Sequence, residues 1–256
     1  MDPGAYYAEH SIHQKRFAKE FLQNLKVEPG SVYLDVGCGE GKITSDLTRK
    51  YRLTSLGTDR SNSMIEYANN HYRTENLSFI QTDAECFVKN NHYNLITCLT
   101  MLHWVKKPEV ALQNMYNSLQ ENGSLYLLVN PRESELFQVY IKTLEKEKWA
   151  YLNDRVIGLG RKYSDEYLKI IREIGFVVER SCLEEGSLYM DSFDDYKNHV
   201  RGFVQNIVSL KESEIEEFIE DMVSEAKSLF HRNQEGKIVV KGRVLSVICT
   251  KVLSEN

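Results

Sequence analysis

Two hydrophobic periods alternate along this chain. Val32 to Val36, Leu53 to Thr58, Leu77 to Gln81, Tyr93 to Leu99 and Ser124 to Val129 are short, mostly apolar runs. Runs of that length and composition predict strands of a buried parallel sheet. Between them the spacing turns helical. Ile43, Leu47 and Tyr51 recur at i, i+4 and i+8; Met64, Ile65 and Ala68 follow a Ser61 cap; Val110, Leu112, Met115, Tyr116 and Leu119 follow Pro108. Phe17, Phe21, Leu22 and Leu25 predict a helix over 12–25, ended by Pro29-Gly30, and Asn122-Gly123 predicts the turn into the fifth strand. Strand and helix alternating in this way predict an α/β fold, with a sheet wound on both faces and function at the carboxyl ends of its strands.

Beyond residue 130 the alternation stops. Residues 133–173 have helical spacing, Phe176 to Glu179 reads as a strand, 193–232 is helical again, and Gly242 to Val252 reads as a closing strand. Ser213-x-x-Glu216 has the form of a capping box. Ile215, Phe218, Ile219, Met222, Val223, Ala226, Leu229 and Phe230 then share one face, leaving Glu216, Glu217, Glu220 and Asp221 on a solvated one. The expected plan is one domain over 1–256: an amino-terminal helical cap (1–28), a core (30–130), an inserted helical lid (186–235) and the closing strand (242–252).

Composition narrows the function. With 42% hydrophobic residues in 256, the chain can bury a sizeable core. A net charge of −5 without a long basic cluster points away from a nucleic-acid partner. The five cysteines, Cys38, Cys86, Cys98, Cys182 and Cys249, include no C-x-x-C, so neither a metal site nor a disulfide framework is expected. The start of the chain lacks the apolar core of a signal peptide, and no apolar run reaches membrane-spanning length. The expectation is a cytoplasmic protein with no membrane partner; the sequence leaves its oligomeric state open.

The chemistry sits in Val32-Tyr33-Leu34-Asp35-Val36-Gly37-Cys38-Gly39-Glu40-Gly41. A strand runs into three alternate glycines, which permit sharp turns and close approach of backbone to a ligand. Asp59 ends the second apolar run eighteen positions after Gly41. Dinucleotide sites need a third glycine where Lys42 stands, and Gly41-Lys42-Ile43 lacks the hydroxyl residue and spacing of a phosphate loop. A nucleoside cofactor without phosphates needs no such cradle.

Asp35-x-Gly37-x-Gly39-x-Gly41 resembles the first motif of class I S-adenosylmethionine-dependent methyltransferases. The resemblance covers residues 30–130 closely and implies a Rossmann-like, mostly parallel seven-stranded sheet, with S-adenosylmethionine as cofactor. It implies that Asp59, within Gly57-Thr58-Asp59-Arg60-Ser61-x-x-Met64, holds the ribose hydroxyls. Asp83 would accept from the adenine amino group while the Ala84 N–H reads the ring, with Glu85 a competing acid. Carbonyls near Cys98 and Leu99 would meet the methionyl amine. Cys98-Leu99-Thr100-Met101-Leu102-His103-Trp104-Val105 resembles the Leu-His/Gln-Trp-Val segment of small-molecule carboxylate methyltransferases: the juvenile hormone acid, trans-aconitate and malonyl-carrier-protein group. Tyr7-x-x-x-Ser11-x-x-Gln14-Lys15-Arg16 looks like the opening of the juvenile hormone acid enzymes, in which a Gln and a Trp orient the substrate carboxylate. Gln14 and Trp104 are the matching residues.

A carboxylate is ionised at neutral pH, with a pKa of about 4, and needs no base to act as a nucleophile. The expected substrate is therefore a small-molecule or carrier-bound acid. Arg132, Arg155, Arg161, His199 and Arg201 lie in or near the lid as candidate partners for its charge. His103 would serve as base if the acceptor were instead a hydroxyl or amine. A non-catalytic cofactor-binding protein and a NAD-dependent oxidoreductase are the other readings, the latter disfavoured by Lys42.

Overall fold

A computed structural model describes residues 18–155, 162–201, 204, 208 and 210–252. Strands β1 (Val32–Val36), β2 (Thr54–Asp59), β3 (Leu77–Gln81), β4 (Tyr93–Leu99) and β5 (Leu119–Val129) alternate with helices α1 (Lys42–Tyr51), α2 (Asn62–Tyr72) and α3 (Pro108–Ser118). Then follow α4 (Glu135–Leu144), a 3-10 stretch (Glu147–Arg155), α5 (Ser164–Ile174), β6 (Phe176–Met190), α6 (Phe193–Arg201), α7 (Glu212–Leu229), β7 (His231–Arg232) and β8 (Ile238–Lys251). The sheet order is β3-β2-β1-β4-β5-β8-β6. The first five are parallel, and β8 runs antiparallel to both its neighbours. Seven strands form this path, and the two-residue β7 adds an eighth against β8.

Period-two alternation sorts the strand residues onto the two faces. Leu34, Val36, Ile96 and Cys98 face a cluster completed by Ala111, Leu112 and Met115 of α3 and Tyr167 and Ile171 of α5. Tyr33, Leu95 and Leu99 face the other way, onto Leu47 of α1 and Ala18, Leu22 and Leu25. Burying each large side chain contributes about 1.5–3 kcal/mol, so both layers hold the sheet. Of the predicted 12–25 helix, 18–21 is helical and Leu22–Asn24 tightens to 3-10; the rest lies outside the described residues.

Several boundaries differ from the sequence reading. Asn122-Gly123 is a bulge inside β5: Tyr93 pairs with Leu119 but Leu95 with Ser124, and Asn122 takes φ 60°. β6 runs to Met190, taking in the first residues of the expected 186–235 lid, and β8 starts at Ile238 rather than Gly242. The capping residue of α7 is Lys211, whose N–H is accepted by Glu214 at 3.0 Å, so the Ser213–Glu216 box is not used. α2 starts as expected, with Ser61 Oγ accepting the Met64 N–H at 3.4 Å.

Helices α4, α6 and α7 and the 3-10 stretch after α4, called the cap from here on, have a core of their own. Phe137 and Tyr140 of α4, Trp149, Tyr196 of α6 and Phe218, Ile219 and Met222 of α7 close over Met190, Ile238 and Val240. The cap therefore draws on 135–152 as well as on the helices of 193–229. The acidic face of α7 is paired rather than simply solvated. Arg201 chelates Glu216, Lys197 bonds Glu220, and Lys148 meets Glu217. Asp221 accepts from Lys146 Nζ at 3.0 Å and Trp149 Nε1 at 2.7 Å. Burial pushes the Asp221 carboxyl up, but bonds from Lys148, Trp149 and Lys146 outweigh it and hold the carboxyl below its ordinary range. No helix among the described residues is long and apolar enough to cross a membrane.

Candidate functional site

The carboxyl ends of β1, β2, β3 and β4 carry the predicted residues. At the end of β1 the chain turns through Gly37 (φ 78°), Gly39 (φ 54°) and Gly41 (φ 83°), all in the left-handed region. Thr58 O, at the end of β2, accepts both the Gly37 and Cys38 N–H groups at 2.7 and 2.9 Å. Two of these glycines also meet packing needs that the sequence does not show. A Cβ on Gly37 would lie 2.3 Å from Cγ of Met101, and one on Gly41 2.8 Å from the Phe79 ring.

Asp59 closes the loop from the neighbouring strand. Its Oδ2 accepts the Gly39 N–H at 3.0 Å and its Oδ1 the Ser61 N–H at 2.9 Å. Burial raises its pKa against the lowering effect of those backbone bonds. Arg60 beside it is exposed and Met64, on the first turn of α2, is half-buried. Asp83 is exposed after β3, with Oδ1 accepting the Glu85 N–H at 2.8 Å. Glu85, the competing acid, accepts the Lys107 N–H at 3.1 Å, and the Ala84 carbonyl accepts from Asn114 at 3.1 Å.

Asp35 stands behind the loop. It is 2% exposed, and its carboxylate accepts from Thr44 Oγ1 at 2.6 Å and Thr97 Oγ1 at 2.7 Å. Tyr33 Oη lies 2.6 Å from that same Thr97 hydroxyl. The carboxylate thus ties β1 to α1 and β4. Burial pushes its pKa to about 6, against the hydroxyl bonds.

Beyond β4 the backbone is strained. Cys98 and Leu99 lie in the ladder, both buried. Thr100 follows at φ 56°. A β-branched residue there is an outlier that costs about 1–3 kcal/mol. Two bonds hold it: its N–H donates to Leu128 O at 2.8 Å and its hydroxyl to Leu99 O at 2.8 Å. Met101 then covers Gly37, and Leu102–Trp104 forms a 3-10 turn. His103 is 2% exposed, and its Nδ1 accepts the Asn130 N–H, at the end of β5, at 3.4 Å. Trp104 is half-buried and packs against the cap cluster.

Gln14 and Arg161 lie outside the described residues, as does the side chain of Arg155. Arg201 is engaged by Glu216 and His199 is exposed. Arg132, in the loop after β5, stacks its guanidinium 5.5 Å from the centre of the Tyr163 ring.

Among the described residues the rim is rich in acceptors. Lys42, at the start of α1, is held by Asp46 at 2.7 Å. Carboxylates and carbonyls at strand ends suit the hydroxyls and amines of a nucleoside and an ammonium group, not a pyrophosphate. S-adenosylmethionine fits that donor set.

The fold and this rim define a class I S-adenosylmethionine-dependent methyltransferase, and the comparisons agree. Residues 34–127 match the methyltransferase-domain family. The chain belongs to the S-adenosylmethionine-dependent methyltransferases and is an enzyme of that class. It is similar to the juvenile hormone acid O-methyltransferase of Bombyx mori, 27% identical over 90% of this chain and 87% of that one. Among solved structures, the YcgJ protein of Bacillus subtilis shares the fold at a TM-score of 0.65 and 16% identity, covering 94% of this chain and 99% of that one. A Haemonchus contortus phosphoethanolamine N-methyltransferase, solved with S-adenosyl-L-methionine, matches at 0.56 and 13% identity over 94% of this chain and 52% of that one.

Proposed function

We propose that this enzyme methylates a carboxylate of a small-molecule or carrier-bound acid, forming an ester. The observation that carries this reading is the Leu102-His103-Trp104-Val105 segment, which stands on the 3-10 turn directly past β4 with Trp104 packed against the cap cluster. The similarity to the juvenile hormone acid O-methyltransferase of Bombyx mori supports the same reading.

In this reading Asp59 takes the ribose hydroxyls, flanked by Arg60 and Met64, and Asp83 with the Ala84 N–H takes the adenine. Gly37, Gly39, Gly41 and the carbonyls of Cys98 and Leu99 line the methionyl arm. Bound S-adenosylmethionine supplies a methyl group activated by its sulfonium. Asp35 acts from behind, fixing the loop through Thr44 and Thr97. Gln14, His103 and Trp104 orient the acid, and the cap excludes water.

The test is methyl transfer from labelled S-adenosylmethionine to a panel of free and carrier-bound acids, followed by mild base. Ester formation releases the label as volatile methanol; base-stable label places the acceptor on N, C or an ether oxygen. The latter outcome contradicts this reading.

A further inference from the structure

We infer that Thr100 is a positioning residue, whose left-handed backbone holds the methionyl end of the cofactor site in register with the His103–Trp104 turn. The inference rests on reading the strand ends as the cofactor site.

Three observations converge on this residue. Among the described residues, the positive-φ residues other than glycine are Arg52, Asn91, Thr100 and Asn122. Arg52 caps the end of α1, and asparagine tolerates this region, so among these Thr100 alone is a β-branched residue held there without a helix end to explain it. Strain of this kind persists where the surroundings over-determine it, and it marks functional sites.

The surroundings here are specific. The Thr100 N–H continues the ladder to Leu128, and its hydroxyl is spent on Leu99 O. That carbonyl is one expected to receive the methionyl ammonium. A carbonyl oxygen has two lone pairs, so hydroxyl and ammonium can share it, and the hydroxyl fixes its direction beforehand.

Directly past Thr100 the chain serves both halves of the site. Met101 lies on Gly37, filling the volume where a Cβ would stand. Its carbonyl accepts the Trp104 N–H at 2.8 Å, closing the turn that carries His103 and Trp104. An extended residue at 100 would carry Met101 off Gly37 and move the turn away from Asn130. The left-handed bend therefore sets the distance between the methyl donor and the groups that orient the acceptor, where a displacement of 1 Å costs turnover heavily.

What the site needs is the backbone conformation, which glycine adopts freely and valine resists. Valine also lacks the hydroxyl while keeping the shape. The experiment is calorimetric titration of S-adenosylhomocysteine into the wild-type protein, Thr100→Gly and Thr100→Val, with thermal melts of each. The expected result is that Thr100→Val binds at least about tenfold more weakly than Thr100→Gly, and that Thr100→Gly melts no lower than Thr100→Val. If Thr100→Val does not fold, Thr100→Ala replaces it, since alanine also lacks the hydroxyl and resists this conformation, and the same ordering against glycine is expected. Equal affinities of the glycine variant and the valine or alanine variant overturn the inference, because a residue that only supports folding would shift the melts and leave the folded protein's affinity in place. A wild-type protein that does not bind S-adenosylhomocysteine instead contradicts the cofactor site itself, a separate failure.

Discussion

Gly37 and Met101 compete for one volume: a Cβ on the glycine would stand 2.3 Å from Cγ of the methionine. The glycine loop is thus shaped as much by the segment beyond β4 as by any ligand. Gly37→Ala meets two penalties, a left-handed φ of 78° and this overlap. Together they should cost about 2–4 kcal/mol of stability. Adding Met101→Ala should recover only a share of the packing part and none of the backbone part, because the Met101 Cβ itself stands 2.5 Å from the added one. Urea unfolding of the single and double variants measures both; a Gly37→Ala protein as stable as wild type would contradict the packing shown here.

Asp35 should give the fold a pH dependence of unusual sign. Its carboxyl titrates near 6 when folded and near about 4 when unfolded. Between those values the folded state holds a proton that the unfolded state has released, so stability falls as pH rises through this window. The contribution is fully present below about pH 4 and lost above about pH 6, amounting to roughly 2–3 kcal/mol. Asp35→Asn lacks the titrating group. Its stability should gain on wild type by that amount from acid to neutral pH, and unfolding series at both ends decide the matter; parallel curves would refute it.

Asp59 makes two backbone bonds that shape the loop, and in the proposed site it also receives the ribose hydroxyls. Asp59→Ala should weaken S-adenosylhomocysteine binding by about 100-fold or more, since bonds to a charged acceptor contribute about 1.5–3 kcal/mol each. Calorimetry returning the wild-type affinity would remove Asp59 from the site.

The central strands β1 and β4 were legible in the sequence because they are buried on both faces, and β3 because its short apolar run is bounded by polar residues. The runs at 32–36, 77–81 and 93–99 are apolar enough to show their ends within a residue. β6 was legible only over 176–179. From Glu179 to Glu185 it is exposed on both faces, so Arg180, Glu184 and Glu185 break any alternation. Long-range partners were the other gap. Asp35 stood out as an acid in an apolar strand, but its bonds to Thr44 and Thr97 depend on α1 and β4 meeting β1. Thr100 carried no sequence signal, because its conformation is set by Leu128 across the sheet.

Within the cap, Asp221 ties α7 to the segment that carries Lys146 and Trp149. Asp221→Ala strips the Trp149 N–H of its acceptor and should cost about 1–3 kcal/mol. The loss should appear in thermal melts, while S-adenosylhomocysteine affinity changes little, because the network lies in the cap. Equal loss of both would place the cap within the cofactor site.

The central claim is ester formation. The most direct measurement is transfer of a labelled methyl group from S-adenosylmethionine to the acid panel, read before and after mild base. Label that leaves as methanol on base treatment, in an amount matching the S-adenosylhomocysteine formed, is the predicted result. Label that stays on the acceptor through base would contradict it.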